Sequence, residues 1–522
     1  MHRKPRIIVC EVKQALSALC PSNLSHRDGL LLSFSLGFLI RLLPELVAHF
    51  DFIGFDTVEY ASAIKEGTVW HHWSEIFSKT WLLYAIVIPL NRLFNMDISV
   101  TLNVVAPIMF GLNSVGIYQY ARKALKWETR KSLFSSLVFC IGLASLRISW
   151  DLYRNTLGLA FLLFALSSIP QLEEGREALS FVLFSTLTVL SHELTAAVLV
   201  MVMMWMILKD GRKLDEEKIP RRKILLCSLP FFCIFLVGIY LKIHPIQYRI
   251  ETNVSYTSEA AGLNPLGLPF FTNYLQVSTP VEKYSSYAEL LLHVFSLFAI
   301  QYAIWMPFII KGLLKARNLC VWTTTLLIGS FSALITPSFA IFLWDRWMFM
   351  LIYPFTFYAV NGMEKIRNEL HSKWTDRGTA VFIAAMIVVG LLYTSLPPEC
   401  TPFYTPMTCK YLPSSMQQST IPLQDIGDTL NCLDWLNKNM DADSTLLVHH
   451  AFFWWGQLSL DKNHTMICYT MDSMKAVQLA QEEGYNQTYL IWWGQSIGWY
   501  KNIQVPESLK AVYSQGRICI YG

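Results

Sequence analysis

The stretch RLLPELVAHFDFIGFDTVEYA, Arg41 to Ala61, begins inside an apolar run and continues past its end with Asp51, Asp56 and Glu59. The run itself, GLLLSFSLGFLIRLLPELVAHF (29–50), supplies the roughly 20 apolar residues that a membrane helix needs. Only Arg41 and Glu45 interrupt it. Carboxylates at the end of such a helix sit where lipid meets water. Ionisable groups are costly to hold near lipid, so they mark functional candidates.

Composition points the same way. Of 522 residues, 53% are hydrophobic and 15% charged, against roughly 25% charged in soluble domains, and the mean hydropathy is +0.37. The net charge of +4 comes from basic residues that punctuate apolar runs rather than forming a basic folded face, which argues against a nucleic-acid partner. The basic opening segment, 1–28, lacks the apolar core and small-residue cleavage site of a signal peptide. The first span is therefore expected to stay in place.

Apolar runs predict about eleven spans, at 29–48, 99–121, 132–148, 156–170, 177–193, 194–209, 224–242, 288–310, 319–341, 346–363 and 378–396. The loops ARKALKWETRK, QLEEGREA, KDGRKLDEEKIPRRK, KGLLKARN and EKIRNELHSKWTDRG then fall on one side. With residues 1–28 they hold 25 of the 42 Lys and Arg, which makes that side cytoplasmic by the positive-inside rule. The run WLLYAIVIPLNRLF (81–94) is too short to span and would invert the charge bias, so it is expected as an interfacial or re-entrant helix.

At SLPPECTPFYTPMTCKYLPSS (395–415) the composition changes to a proline-rich linker. Beyond it, helical patterns (DIGDTLNCLDWLNKNM, SMKAVQLAQEEGY) alternate with strand-like runs (STLLVHH, HTMICYT, TYLIWWG). The expected fold is thus an all-α polytopic membrane domain of about eleven transmembrane helices with a C-terminal extracytoplasmic α/β domain. Its parts are an N-terminal segment (1–28), the membrane domain (29–396) and the α/β domain (397–522). Cys400 and Cys409 are candidates for a disulfide in an oxidising compartment. The sequons at Asn253, Asn463 and Asn486 fall in segments expected outside, and the one at Asn23 inside.

In this topology the unusual ionisable residues collect on the outer side. They are Arg41, Asp51, Asp56 and Glu59, then Arg147, Asp151 and Arg154 in LRISWDLYRNT, His192 and Glu193 in LSHELTA, and Asp345 and Arg346 in LWDRWMFM. Such a set suits sugar transfer from a polyprenyl phosphate, whose lipid is buried while its phosphate lies at the interface. Arg346, Arg147 and Arg154 are candidates for the phosphate, because a guanidinium fork matches its oxygens. Asp56 is the first candidate for the base that deprotonates an acceptor hydroxyl. Gly54 permits a tight turn before it, and the Tyr60 ring is a candidate for stacking on a sugar. Asp56, Asp151, His192 and Glu193 are candidate ligands for a divalent metal such as Mg or Mn. His71 and His72 in VWHHWSEIF read as an interfacial His–Trp cluster, and the C-terminal tryptophans as core or sugar-stacking surface.

The stretch from Arg41 to Ala61 resembles the first outer loop of the polytopic GT-C glycosyltransferases, which use lipid-phosphate-linked sugars. RISWDLYRNTLGLAFLLFAL, LSHELTAAVLV and LWDRWMFMLIYP follow in the order and spacing of archaeal-type members, related to dolichyl-phosphate-mannose protein mannosyltransferases and oligosaccharyltransferases. The resemblance covers residues 30–360. It implies that Asp56 matches the catalytic acid position and Asp151 the acidic residue of the second outer loop; Glu59 is a further catalytic candidate, and His192 a further candidate for substrate or phosphate binding. Arg346 matches the late basic residue near the lipid phosphate. The implied activity is transfer of a hexose such as mannose from a polyprenyl-phosphate donor to a protein or glycan acceptor on the outer face. Oligosaccharyltransferases also carry an Asp-x-Asp pair and a WWDYG signature, whereas this chain has Asp56 with Glu59, and FFWWGQL and LIWWGQS. An oligosaccharyltransferase-like enzyme and a lipid or sugar transporter or flippase are the alternatives. A transporter favours charges near the midplane and internal repeats, and neither is read here.

Overall fold

The computed structural model describes residues 24–208, 221–246, 253–257, 270–275, 284, 286–370, 373–395, 421–441, 443–470, 472–495 and 504–522. The segment before residue 24 with its Asn23 sequon, most of the loop KDGRKLDEEKIPRRK, and the proline-rich linker with the Cys400–Cys409 pair lie outside the described residues.

The first helix, His26–Val47, opens on a capping box: Ser25 Oγ accepts from the Asp28 amide, and the Asp28 carboxylate accepts from the Ser25 amide. It packs along Ile98–Lys123 through small residues. A Cβ on Gly37 would come within 2.9 Å of the Phe110 carbonyl oxygen and 3.0 Å of the Gly111 Cα, so the two backbones run nearly in contact, as helices in lipid often do. Buried polar links tie further helices to this pair. Asn113 donates to the Thr156 carbonyl at 2.8 Å and accepts from the Tyr353 hydroxyl at 2.8 Å.

Among the described residues, five unbroken helices are long and apolar enough to cross a membrane: His26–Val47, Ile98–Lys123, Arg222–Ile243, Arg317–Ile335 and Arg377–Thr394. The span expected at 132–148 is made of two helices, Thr129–Cys140 and Leu143–Asp151, that are together long and apolar enough to cross and are bent by 65° at the break. Other expected spans are also shorter or divided. Tyr153–Ser168 and Glu193–Leu208 have 16 residues each, about 24 Å of rise against a hydrocarbon core of about 30 Å. The expected run 346–363 divides into Trp344–Met350 and Ile352–Leu370. Ionisable residues singled out above stand where two of these short helices begin, Asp151 and Arg154 around Leu152, and His192 and Glu193 at the start of Glu193–Leu208. The run 81–94 forms a 13-residue helix, Leu82–Phe94.

The basic loops meet at one end of the bundle. Lys123 pairs with Glu177 at 2.8 Å, Lys131 with Glu364, and Lys311 with Glu369 at 2.9 Å, while Lys223 donates to the Glu173 carbonyl. At the other end stands a six-stranded sheet, in the order Val254–Tyr256, Thr465–Tyr469, Ser444–His449, Gln487–Trp493, Ile518–Tyr521, Ala511–Gln515. The first four strands are parallel to one another; Ile518–Tyr521 runs antiparallel to Gln487–Trp493 and to Ala511–Gln515. Its first strand comes from the loop after Arg222–Ile243, far upstream of residue 397. The sheet's core also takes in Val58 from the loop after the first helix. More contacts join that loop to the helix His450–Ser459. The Phe52 and Trp455 rings lie 5.9 Å apart, Phe55 and His450 5.6 Å apart, and Lys65 donates to the Leu458 carbonyl at 2.5 Å.

Candidate active site

The acids of the loop after the first helix are set by a turn resting on the end of Leu143–Asp151. Gly54 has φ +109°, a conformation open to glycine, and a Cβ there would come 2.5 Å from the Asp151 Cβ. The next amide, of Phe55, donates to Asp151 Oδ2 at 2.8 Å. Asp151 is in turn gripped by Arg147 across both carboxylate oxygens, and both residues are buried. The carbonyls just before it are held from the first helix: Arg41 donates from Nε to Ser149 at 3.0 Å and from Nη2 to Trp150 at 3.1 Å. Arg41 also forms a fully buried ion pair with Glu45 at 2.5 Å.

On this platform Asp56 stands just before the helix Thr57–Glu66, its side chain making no cap to that helix. Its carboxylate pairs with Arg346 Nη2 at 3.3 Å. Arg346 arrives on Trp344–Met350, which the chain enters through Leu343 at φ 57°. Less than a turn beyond Asp56, Glu59 faces Arg154 Nη2 at 3.5 Å. Arg154 also reaches Thr80 Oγ1 at 3.5 Å and lies 5.5 Å above the Tyr60 ring. Asp56, Glu59, Arg154 and Arg346 thus form one charged group contributed by three parts of the chain. Burial pushes the Glu59 carboxyl up to about 7; Arg154 opposes that shift, Asp56 adds to it and Arg346 opposes it.

Two cavities open beside this group. One, of about 380 Å³, has apolar walls that include Val189, Ala197, Ile234 and Phe235, with His192 and Arg346 at its charged part. The other, of about 480 Å³, is the more polar of the two and runs between the first loop and the C-terminal domain, lined by Glu59, Glu66, Glu75, Trp81, Trp454 and Gln457 among others. Both cavities are bordered by Ser78, Lys79, Thr80, Arg154, Glu193 and Lys242. An apolar groove and a polar cleft therefore meet at a rim rich in cations.

Three expectations are corrected. Tyr60 is 1% exposed and stacks on Tyr153 at 5.3 Å, so its ring is core and presents no face to a sugar. Arg147 is 3% exposed and committed to Asp151, which removes it from the phosphate candidates. The proposed metal set of Asp56, Asp151, His192 and Glu193 does not converge: no group of three or more His, Cys, Asp or Glu that could hold a metal ion occurs among the described residues. Asp151 is turned toward Arg147 and Phe55, and Glu193 pairs with Lys242.

His192 lies at the break between Gly175–Ser191 and Glu193–Leu208, with its Nδ1 accepting from the Leu194 amide at 3.3 Å. Asp51 is exposed and lines neither cavity, and Asp345 is buried. His71 pairs with Glu66 at 2.7 Å, while His72 packs against Trp73 at 5.4 Å. Lys79, Thr80, Lys242, Trp454 and Gln457 join the site without having been singled out for it. Lys79 and Lys242 carried a signal, being cations on the side that the charge rule depletes.

No family model matches the chain, and no curated protein matches it in sequence. Solved structures do resemble it. The archaeal oligosaccharyltransferase AglB from Archaeoglobus fulgidus, in complex with an inhibitory peptide and a dolichol-phosphate, superposes with a TM-score of 0.52 at 11% identity. That match covers 89% of this chain and 69% of AglB. The arabinofuranosyltransferase AftD from Mycobacteria gives a TM-score of 0.47 at 12% identity, covering 96% of this chain and 40% of AftD. The likeness to AglB is one of fold: this chain shares the overall fold of that protein.

Proposed function

We propose that this chain is an integral membrane glycosyltransferase that takes a sugar, a hexose such as mannose, from a polyprenyl-phosphate donor and transfers it to an acceptor on the extracytoplasmic face. The observation that carries this reading is the shared rim, where an apolar groove suited to a lipid tail meets a polar cleft suited to an acceptor. The orientation follows from the basic loops tied together at the far end, which the positive-inside rule puts in the cytoplasm.

In this reading the prenyl chain lies along Val189, Ile234 and Phe235, and its phosphate meets Arg154, Arg346, Lys79 and Lys242. The acceptor hydroxyl oxygen attacks the anomeric carbon from the polar cleft, and its proton passes to Glu59. The bond from that carbon to the phosphate oxygen breaks, and the electron pair leaves with the phosphate, whose growing charge the cations stabilise. Glu59 suits this role because it lines the acceptor cleft and its carboxyl is pushed up toward neutrality. Asp56, the sequence's first candidate, is assigned instead to holding Arg346. Asp151 and Arg147 position the loop. No ligand set for a divalent cation is assigned, because the four expected residues do not converge.

The test is transfer by membranes supplied with radiolabelled polyprenyl-phosphate hexoses. Arg154→Ala and Arg346→Ala are expected to lower turnover about 100-fold, as for loss of a charge-stabilising group. A wild type that cleaves none of a panel of such donors would overturn the reading.

A further inference from the structure

The polar cleft carries information about the acceptor. Its wall residues lie on the helices Thr57–Glu66, Glu75–Ser78, Leu82–Phe94 and His450–Ser459, on the ends of Tyr153–Ser168, Glu193–Leu208 and Arg221–Ile243 that carry Arg154, Glu193 and Lys242, and on the short segments 68–71 and 79–81, and no described strand contributes to it. A peptide held by its backbone needs an open sheet edge or comparable unpaired main-chain groups, and helices spend theirs internally. Most charges that face the cleft are paired in place. Glu75 meets Lys79 at 2.5 Å, Glu59 meets Arg154 at 3.5 Å and Glu193 pairs with Lys242, while Glu66 shares a hydrogen bond of 2.7 Å with the His71 ring. Such a surface offers many hydrogen-bonding groups and little net charge.

Aromatic faces complete the lining. Trp81 gives its indole N–H to the Ile76 carbonyl at 2.8 Å, which fixes that ring. Trp454 is half-buried, unlike its neighbour Trp455, whose ring belongs to the core. It packs against Phe453 at 4.8 Å. One turn along the same helix, Gln457 lies 3.5 Å from Ser62 of the first loop. Flat rings beside carboxylates and an amide match a neutral sugar, whose C–H faces lie on aromatic rings while its hydroxyls donate to acceptors.

From this juxtaposition we infer that the polar cleft is a carbohydrate acceptor subsite, with Trp454 of the C-terminal domain as its stacking platform and Gln457 as a hydrogen-bonding partner. The inference rests on the glycosyltransferase reading and narrows it, making the acceptor a glycan rather than a peptide. Glu59 then stands in the same cleft as the hydroxyl it deprotonates.

The experiment uses the purified full-length protein in nanodiscs and a fluorescein-labelled manno-trisaccharide, with binding read by anisotropy. Trp454→Ala is expected to weaken binding about tenfold, as for an aromatic anchor, while Trp454→Phe stays within about threefold of wild type. Thermal unfolding of each variant shows that the loss is local. Unchanged binding in a folded Trp454→Ala, or displacement of the trisaccharide by an Asn-X-Thr peptide at equal concentration, overturns the inference. Wild-type cleavage of the radiolabelled donor is measured alongside. Absence of cleavage sinks the glycosyltransferase reading, whereas cleavage with Trp454-independent sugar binding sinks the subsite alone.

Discussion

At the scale of single residues, Glu59 and Gly54 make opposite kinds of demand. Burial pushes the Glu59 carboxyl up to about 7 against the opposing pull of Arg154, so it gains and loses its proton around neutral pH. Its contribution to folding is fully present below the ordinary carboxyl range and is lost as pH rises through about 7, because the unfolded chain releases that proton earlier. The chemistry runs the other way, for the base exists only once the proton has left. Wild-type transfer is therefore expected to rise with pH and level off above about 7. Glu59→Gln should give a flat profile about 100-fold lower, within the usual range for a general base. A rising limb that survives in Glu59→Gln would assign the base to another group. Gly54 is a backbone requirement, with φ +109° and the Asp151 side chain where a Cβ would go. Gly54→Ala should cost about 1–3 kcal/mol, seen as a lower unfolding temperature in detergent together with reduced transfer.

Among elements, the helix Leu143–Asp151 bears the first loop, and Arg41 holds its last carbonyls from inside the first span. Removing one member of a fully buried ion pair leaves an uncompensated charge. Arg41→Met is expected to destabilise by about 3–5 kcal/mol, and Arg41→Met with Glu45→Leu by much less. Transfer should stay low in both, since neither restores the donors to Ser149 and Trp150. Equal activity in the double variant and the wild type, measured in the donor-cleavage assay, would show that the clamp is dispensable. What the sequence revealed divides at this scale. Asp56, Glu59 and the glycine before them were legible because carboxylates beside an apolar run demand a reason. The bend at Ile141–Gly142 was not, since apolar residues continue across it and hydropathy averages over the break. Tyr60 read as surface because its alternation with polar neighbours does not tell which face of Thr57–Glu66 meets Tyr153. The strand Val254–Tyr256 is three residues long, and its place in the sheet is set by Thr465–Tyr469, more than 200 positions away.

For the whole molecule, that short strand fixes a topological relation. Val254–Tyr256 pairs in parallel with Thr465–Tyr469, so the loop after Arg222–Ile243 and the C-terminal domain occupy one side of the bilayer. The first loop joins them through Val58 and the Lys65 contact. Tyr153–Ser168 leads away from Arg154, and Gly175–Ser191 returns to His192, so residues 169–174 lie at the opposite end beside the Lys223 contact. Exposed positions from these regions should label in two groups. In intact, correctly oriented vesicles with a membrane-impermeant maleimide, Lys462→Cys and Glu66→Cys are expected to react from the outside. Glu173→Cys should react only after permeabilisation, each introduced into and measured against a variant in which Cys10, Cys20, Cys233, Cys320, Cys400 and Cys409 are replaced by serine. Reaction of Glu66→Cys and Glu173→Cys from the same face would break the link between the acceptor cleft and the outer solution, because a hydrophilic acceptor would then face the end where the basic loops gather.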